Sequence, residues 1–550
     1  MEVYTMEIVQ HIRDYRQLDY DLAAVHSVLN STRENRFKLF VPTENNCRQT
    51  DKLLEELKER IDALPIDGKP FEFLKNHFYD FLHSLCLQAD TMKNNPQGYL
   101  YSVGWKIVPM ILDAEDFTAG YDILMSRLGC VKEIVDVLAA KCADDKEKNA
   151  LSEAIGYMKN NLNVNKVEYR SFYEFLGKEK EDALLSLVEE LEQYLGEVQN
   201  NISCGETEEY TMLADDAVLP QDIEKYRNAL SVNIGVDLDE LLKWYESETE
   251  KTRKECFDIA RKLDIPENDP KTMADINDIL LKYAGPADSA DEMYERANGY
   301  IKRTRAIAHQ YVWMPEDENC IISKVPVQLK VAYPWGGYEG GYRFKSPIIG
   351  RMFLNNYNYK AITDGWMKIN TLHEAYPGHH VQHVRSITDP IPETMKIGAK
   401  NVPLHEGTCL RTEREFEFVF KEDPFYPLFV AYRRHHTSVR IKVDLWLRYF
   451  GKTIGEAVDL YQQELGFDRQ TARYQVQAHE NDEGYFTSYY YGMKKLCEWE
   501  KEYGYDKRTY LQLLFSVGGV SLENFRLYLE MPDDEKFMLV NEFASLYQFN

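Results

Sequence analysis

The stretch Leu372–His383, L-H-E-A-Y-P-G-H-H-V-Q-H, places four histidines and one glutamate within twelve residues. Eight of the chain's 13 histidines lie between His373 and His479, a fifth of the length. Solvent-exposed histidines without a function would be scattered over the whole chain. The clustering therefore indicates a shared chemical role.

The pair His373-Glu374 opens like the H-E-x-x-H motif, in which two histidines one helical turn apart hold zinc and the glutamate is the general base. Here the motif does not close, because the residue four positions after His373 is Pro377. In a regular helix His379 would point roughly 120° away from His373, and His380 would lie about 10 Å along the axis. A shared ion requires Pro377-Gly378 to bulge or break the helix. The alternative is that this pair ends an exposed helix.

The sequence H-E-A-Y-P-G-H-H-V-Q resembles the signature H-E-x-x-P-G-H-H-x-Q of the family called domain of unknown function 885. That family is a group of predicted zinc hydrolases related to the helical Glu-zincin metallocarboxypeptidases. Supporting matches extend from about residue 333 to residue 492. The resemblance implies one zinc ion held by His373 and His379, with Glu374 as general base. His380 stays open as the alternative second ligand.

A catalytic zinc ion takes three protein ligands, so the two histidines need a third. Glu406, in L-H-E-G-T, follows His373 by 33 residues, a spacing that resembles the carboxylate-bearing second helix of the Glu-zincins. Glu413 lies two turns further along the same predicted helix. It is either an alternative ligand or a residue that orients a ligand histidine.

Candidate substrate-binding residues come from three further segments. The segment G-Y-F-T-S-Y-Y-Y-G, residues 484–492, resembles a family segment that implies Tyr489 as a catalytic hydrogen-bond donor, with Tyr485 beside it. His436 and Arg440 resemble the H-x-x-x-R element of related carboxypeptidases, although a basic helix face is an equal interpretation. Gly340 and Gly341 belong to a glycine-rich segment that is either an edge strand receiving an extended peptide or an ordinary hairpin.

Composition excludes several classes of partner. The chain has 550 residues and a formal net charge of -26, which repels polyanions and argues against nucleic acid or an anionic membrane as partner. Its first residues, M-E-V-Y-T-M-E-I-V-Q, carry early acids and no continuous apolar run. These features predict a soluble, cytoplasmic protein.

Apolar residues recur every three or four positions over most of the chain, which predicts a mainly α-helical protein. The segment 325–355 is rich in β-formers and glycine and predicts a small sheet near the metal helix. The expected architecture is a zincin-like helical bundle of two lobes around a deep cleft. We predict an N-terminal helical region, 1–225, and a catalytic region, 226–550, with the metal site at 373–413; one continuous domain is the alternative.

These features together predict a zinc metallopeptidase of carboxypeptidase or dipeptidase type that acts on short peptides. A zinc amidohydrolase or esterase acting on a small amide or other non-peptide substrate would use the same activated water. The third interpretation is a helical metal-binding scaffold without catalysis. Glu374 beside His373 argues against the scaffold, because a structural zinc ion has no use for that carboxylate.

Overall fold

The computed structural model of this protein describes residues 6–108, 117–202, 212–330, 333–340 and 347–544. Helices dominate it, as the spacing of apolar residues predicts. The second helix illustrates the cause: the Thr43 side chain caps its first turn by accepting a hydrogen bond from the Asn46 N–H. Its buried residues Leu54, Leu57 and Ile61 follow the three-to-four-residue spacing of one helix face.

The described helices of the first 311 residues are long and mostly joined by short turns. They are α1 Met6–Asn30, α2 Glu44–Ala63, α3 Lys69–Asn94, α4 Pro96–Trp105, α5 Phe117–Lys141, α6 Asp145–Tyr173, α7 Lys178–Ile202, α8 Ile223–Asn228, α9 Leu238–Ala260, α10 Met273–Tyr283 and α11 Ala290–Tyr311.

A second set of described helices follows the sheet and carries His379 and Glu406. They are α12 Asp364–Asn370, α13 His379–Thr388, α14 Glu393–Ile397, α15 Val402–Glu415, α16 Tyr426–Arg448, α17 Ile454–Leu465, α18 Arg469–Asn481, α19 Ser488–Tyr503, α20 Lys507–Ser516, α21 Leu522–Leu529 and α22 Asp533–Asn541.

A three-stranded sheet precedes these helices, with strands β1 Asn319–Lys324, β2 Gly336–Glu339 and β3 Ile349–Leu354 in the order β1-β3-β2. Strand β1 runs parallel to β3, and β2 runs antiparallel to it. The expected mainly helical fold with a small sheet is confirmed. The sheet begins six residues before the predicted segment, because β1 starts at Asn319.

Both of the predicted regions contribute to one buried core. It runs from Ile12 in α1 to Phe543 after the last helix, and includes Leu372 and Val381 of the histidine motif. The N-terminal helix is also joined to α14 through Asp19, whose carboxylate accepts hydrogen bonds from the Glu393 and Thr394 N–H groups. The boundary at residue 225 stays a prediction.

Two glycines allow α15 and α19 to approach closely. A Cβ added to Gly407 would lie 2.5 Å from the backbone of Gly492 and Met493, and one added to Gly492 would lie 1.8 Å from the Pro403 carbonyl oxygen. Any larger residue would separate the helices. This contact brings Glu406 on α15 next to Tyr485, which lies just before α19. Among the described residues, no helix is long and apolar enough to cross a lipid bilayer.

Candidate metal centre

The helix that carries His373 breaks after Ala375. Residues Thr371–Ala375 form a π-helical turn, and α13 begins at His379. A Cβ on Gly378 would lie 1.8 Å from the His373 carbonyl oxygen, so only glycine fits where the chain folds back on this turn. As a result the imidazole rings of His373 and His379 lie with their centroids 5.0 Å apart.

The third side chain of the cluster comes from α15. The Glu406 Oε2 atom lies 3.1 Å from His373 Nε2 and 3.5 Å from His379 Nε2. His373 and Glu406 are buried, and His379 is partly exposed. Two ring nitrogens and one carboxylate oxygen therefore converge from a broken helix and the helix packed against it.

These separations suit a tetrahedral zinc ion. Zinc lies about 2.0–2.1 Å from nitrogen and oxygen ligands, so two ligand atoms of a tetrahedral site are about 3.4 Å apart. The observed 3.1 and 3.5 Å bracket that spacing. The donor set of two imidazoles and one carboxylate is also typical of catalytic zinc sites with an open fourth position.

Cys409 offers a different third ligand, since one ligand atom from each of His373, His379 and Cys409 lies within 4.8 Å of the others. Its Sγ, however, is 3.5 Å from His379 Nδ1, the nitrogen that also lies 2.8 Å from Gln382 Oε1. The opposite nitrogen, Nε2, faces Glu406. We therefore favour Glu406 as the third ligand.

Outer hydrogen bonds orient both imidazoles. His373 Nδ1 is 2.8 Å from Glu413 Oε1, which makes the Nδ1–H a donor and leaves the Nε2 lone pair directed at the cluster. Gln382 does the same for His379. Of the two roles considered for Glu413, the orienting role matches this geometry. His380 Nε2 instead faces Glu318, 2.7 Å away, so His379 rather than His380 is aimed at Glu406.

The electrostatics of the cluster favour a cation. Burial lowers the pKa of His373, but neighbouring Cys409, Glu406 and Glu413 outweigh burial and raise it to about 10. Burial also opposes protonation of His379, yet Cys409 and Glu406 raise its pKa well above the ordinary value. Burial raises the pKa of Glu406, but the two imidazoles hold it well below its usual range. A divalent ion would supply the same positive charge and release the imidazole protons.

Glu374 lies in the π-helical turn between the cluster and the sheet. It is partly exposed, and its charge reaches both His373 and Tyr333, which precedes β2. Strand β2 is at the edge of the sheet and pairs with β3 alone among the described strands. Gly340 follows β2 and packs on the His383 ring, since a Cβ there would lie 2.5 Å from that ring. Gly341 lies outside the described residues.

Two tyrosines complete the surroundings of Glu406: Tyr485 lies just before α19, and Tyr489 lies in its first turn. The Tyr485 hydroxyl donates a hydrogen bond to Glu406 Oε1 over 3.0 Å and lies 3.2 Å from the Tyr489 hydroxyl. The Tyr489 ring stacks beside His373 at 6.2 Å between centroids. Burial raises the pKa of both phenols, which keeps each available as a donor.

The other sequence candidates lie on α16. The Arg440 guanidinium sits over the Tyr489 ring at 5.5 Å, and Arg433 sits over the same ring at 5.8 Å. The His436 ring is fully buried and packs on Tyr461 and Phe467. Sequence reasoning missed Arg433, although its position seven residues before Arg440 places it on the same helix face. It also missed Glu318, which no motif indicates, and the role of Gln382, which is the final residue of the H-E-x-x-P-G-H-H-x-Q signature.

Solved structures share this fold. One, described as "the putative lipoprotein from Colwellia psychrerythraea", has a TM-score of 0.73 and 17% identity and covers 95% of this chain and 99% of its own. A second, "a putative lipoprotein of unknown function from Shewanella oneidensis", has a TM-score of 0.64 and 14% identity, with 95% and 98% covered. A third structure, described as "a putative oligoendopeptidase F from Bacillus anthracis", covers 96% of this chain and 94% of its own at 13% identity, and its TM-score of 0.29 is too low to establish a shared fold.

These neighbours overturn one expectation. Two of them are described as lipoproteins, which points to membrane-anchored or secreted proteins, so the prediction of a cytoplasmic protein is wrong. That prediction depended on the absence of an apolar leader in the printed sequence. An absence of this kind does not establish a compartment.

The curated proteins offer no significant match to this chain. The family model described as "Bacterial protein of unknown function (DUF885)" matches residues 45–523, which include every candidate ligand and both tyrosines. The match covers far more than half of the chain, and this protein therefore belongs to the DUF885 family.

Proposed function

We propose that this protein is a zinc-dependent hydrolase, and specifically a metallopeptidase that cleaves short peptides. The observation that carries the proposal is the approach of His373 Nε2 and His379 Nε2 to one oxygen of Glu406, at 3.1 and 3.5 Å. The histidines come from two sides of a broken helix and the glutamate from another helix. Such convergence of buried groups on one point supports a shared ion.

A zinc ion bound at this cluster supplies Lewis acidity, which lowers the pKa of water and polarises a scissile carbonyl. Glu374 is the proposed general base, since it follows His373 in the π-helical turn and remains partly exposed. It takes a proton from the attacking water and delivers that proton to the leaving amine. Glu413 holds His373 in the tautomer that presents Nε2.

The developing oxyanion needs a hydrogen-bond donor, and Tyr489 is the proposed one. Its hydroxyl is 3.2 Å from that of Tyr485, which is itself engaged with Glu406. Because the Tyr485 proton goes to Glu406, the Tyr489 proton is the one that can turn toward a substrate. Raised pKa values keep this proton on the phenol at neutral pH.

Arg440 supports a substrate with a free carboxylate. Arg440 is only 7% exposed, yet no described carboxylate lies within ion-pair distance of it, while Arg433 is 3.6 Å from Glu413 Oε1. A buried guanidinium without an anion is costly, so a ligand that brings a carboxylate would gain a charge-assisted hydrogen bond. The C-terminal carboxylate of a short peptide has this chemistry, which favours carboxypeptidase or dipeptidase action.

Peptides with a free C-terminus are expected to be cleaved with a KM about ten- to hundredfold lower than the same peptides amidated, since one charged hydrogen bond contributes about 1.5–3 kcal/mol. Replacing Arg440 with methionine should remove this difference and leave kcat little changed. Steady-state kinetics on both peptide forms provide the measurement. Arg434→Met is the control, because Arg434 is on the same helix and pairs with Glu255.

The second candidate function is hydrolysis of a non-peptide amide or ester at the same site. Arg440 favours such a substrate as much as a peptide if the substrate carries a free carboxylate. A panel of short peptides, N-acyl amino acids and simple esters, assayed with the zinc-loaded protein, separates the two. Faster cleavage of the peptides than of the other substrates supports a metallopeptidase. Zinc binding without turnover on any substrate would instead favour the metal-binding scaffold.

A further inference from the structure

The broken motif is held by a residue that lies 55 positions before His373. Glu318 immediately precedes β1, and its side chain is fully buried. Its Oε2 atom lies 2.7 Å from His380 Nε2 and accepts a hydrogen bond of 2.7 Å from the Tyr376 hydroxyl. These two partners flank Pro377, Gly378 and His379.

The other oxygen of Glu318 is equally engaged. Its Oε1 accepts from Arg305 Nε at 2.8 Å and lies 2.9 Å from His309 Nε2, both on α11. A carboxylate has about four acceptor positions, and all four are used here. Although burial raises the pKa of Glu318, these partners, His380 first, lower it to about 2. Glu318 therefore joins α11, β1 and the break in one ionised network.

Residues of the sheet also hold Tyr376 and His380 in place. The Tyr376 hydroxyl accepts a hydrogen bond from the Cys320 N–H of β1 at 2.9 Å, and the Tyr338 hydroxyl of β2 lies 3.0 Å from His380 Nδ1. A Cβ on Gly350 would come within 2.4 Å of His380 Nδ1, so only a glycine at this position of β3 leaves room for the His380 ring. Both nitrogens of His380 are thus occupied.

We infer that Glu318 is a positioning residue for His379: by fixing Tyr376 and His380 on either side of the Pro377-Gly378 break, it aims the intervening imidazole at Glu406. Without it, the chain between these anchors is free to return to conformations in which His379 points away. This inference rests on the proposed zinc site. It adds that the site depends on a carboxylate that touches neither the ion nor the substrate.

The test compares Glu318→Ala with Glu393→Ala. Glu393 is also buried and paired with an arginine, Arg33, so both variants lose a buried anion together with its arginine ion pair. Zinc affinity is measured by competition with a chromophoric chelator at a temperature at which both proteins are folded. Glu318→Ala is expected to weaken zinc binding about 10–100-fold, the range for outer partners of a ligand histidine, and Glu393→Ala to leave it unchanged.

A milder pair protects the test against misfolding. Tyr376→Phe removes one hydroxyl with two hydrogen bonds, and Tyr15→Phe does the same in a distant part of the core, where the hydroxyl donates to the Pro65 and Phe71 carbonyls. Only Tyr376→Phe should weaken zinc binding. Equal affinities within each pair would overturn the inference.

A double-mutant cycle shows whether Glu318 acts through His379. In a His379→Ala background, whose weaker residual zinc affinity is titrated at higher zinc concentration, Glu318→Ala should cause no further loss of affinity, whereas in a Glu413→Ala background the full loss should persist. A full loss in both backgrounds would contradict positioning through His379. If the unaltered protein binds no zinc, the proposed function and this inference both fall; if it binds zinc and Glu318 proves neutral, only the inference does.

Discussion

Replacing Glu374 with glutamine is expected to lower kcat about 10²–10⁴-fold while the zinc content stays at the level of the unaltered protein, since glutamine cannot accept the proton of the attacking water. The substitution preserves size, and Glu374 is absent from the ligand atoms that converge on Glu406. The measurement is hydrolysis of the best substrate of the panel alongside metal analysis of the same samples.

A matched control for this variant is Glu255→Gln. Glu255 is partly exposed on α9 and forms ion pairs with Arg414 and Arg434, away from the ligands. It should leave both turnover and zinc content unchanged. Undiminished hydrolysis by the Glu374 variant would end the assignment of this residue as general base, even if zinc is present.

Alanine at His373 or at Glu406 is expected to remove zinc from the purified protein. Each change leaves two protein ligands where a catalytic site needs three. The zinc affinity should therefore fall by more than about 100-fold, which is the largest loss typical for removing a hydrogen-bond partner of a ligand. Hydrolysis should be lost with the metal. Metal analysis after dialysis against a weak chelator is the measurement.

Two further variants sharpen this result. Cys409→Ala should keep its zinc, because the thiol lies against the Nδ1 side of His379. His83→Ala controls for histidine removal, since His83 is on α3 and bonds Asn233. If the Cys409→Ala variant lost its zinc and the Glu406→Ala variant kept it, Cys409 would replace Glu406 as the third ligand. Equal zinc in all four variants would remove the site.

Local sequence determined the helical class of the fold and the position of the break. Periodic apolar residues form amphipathic helices wherever they occur, so this class is readable without tertiary information. The Pro377-Gly378 pair excludes a regular helix through the motif for equally local reasons. The spacing from His373 to Glu406 suggested which carboxylate the next helix would bring, although whether these residues bind zinc stays a prediction.

Tertiary structure alone decided which groups surround that cluster. His380 meets Tyr338 and Glu318, which lie 42 and 62 residues before it in the sequence. Arg433 reaches the Tyr489 ring from a separate helix. Such contacts leave no periodic signal in the sequence. The choice between His379 and His380 depends on how the chain folds back at Gly378, which is set by β1, β3 and α11 together. Side-chain direction after a helix break is determined by what the break packs against, and the local sequence does not contain that information.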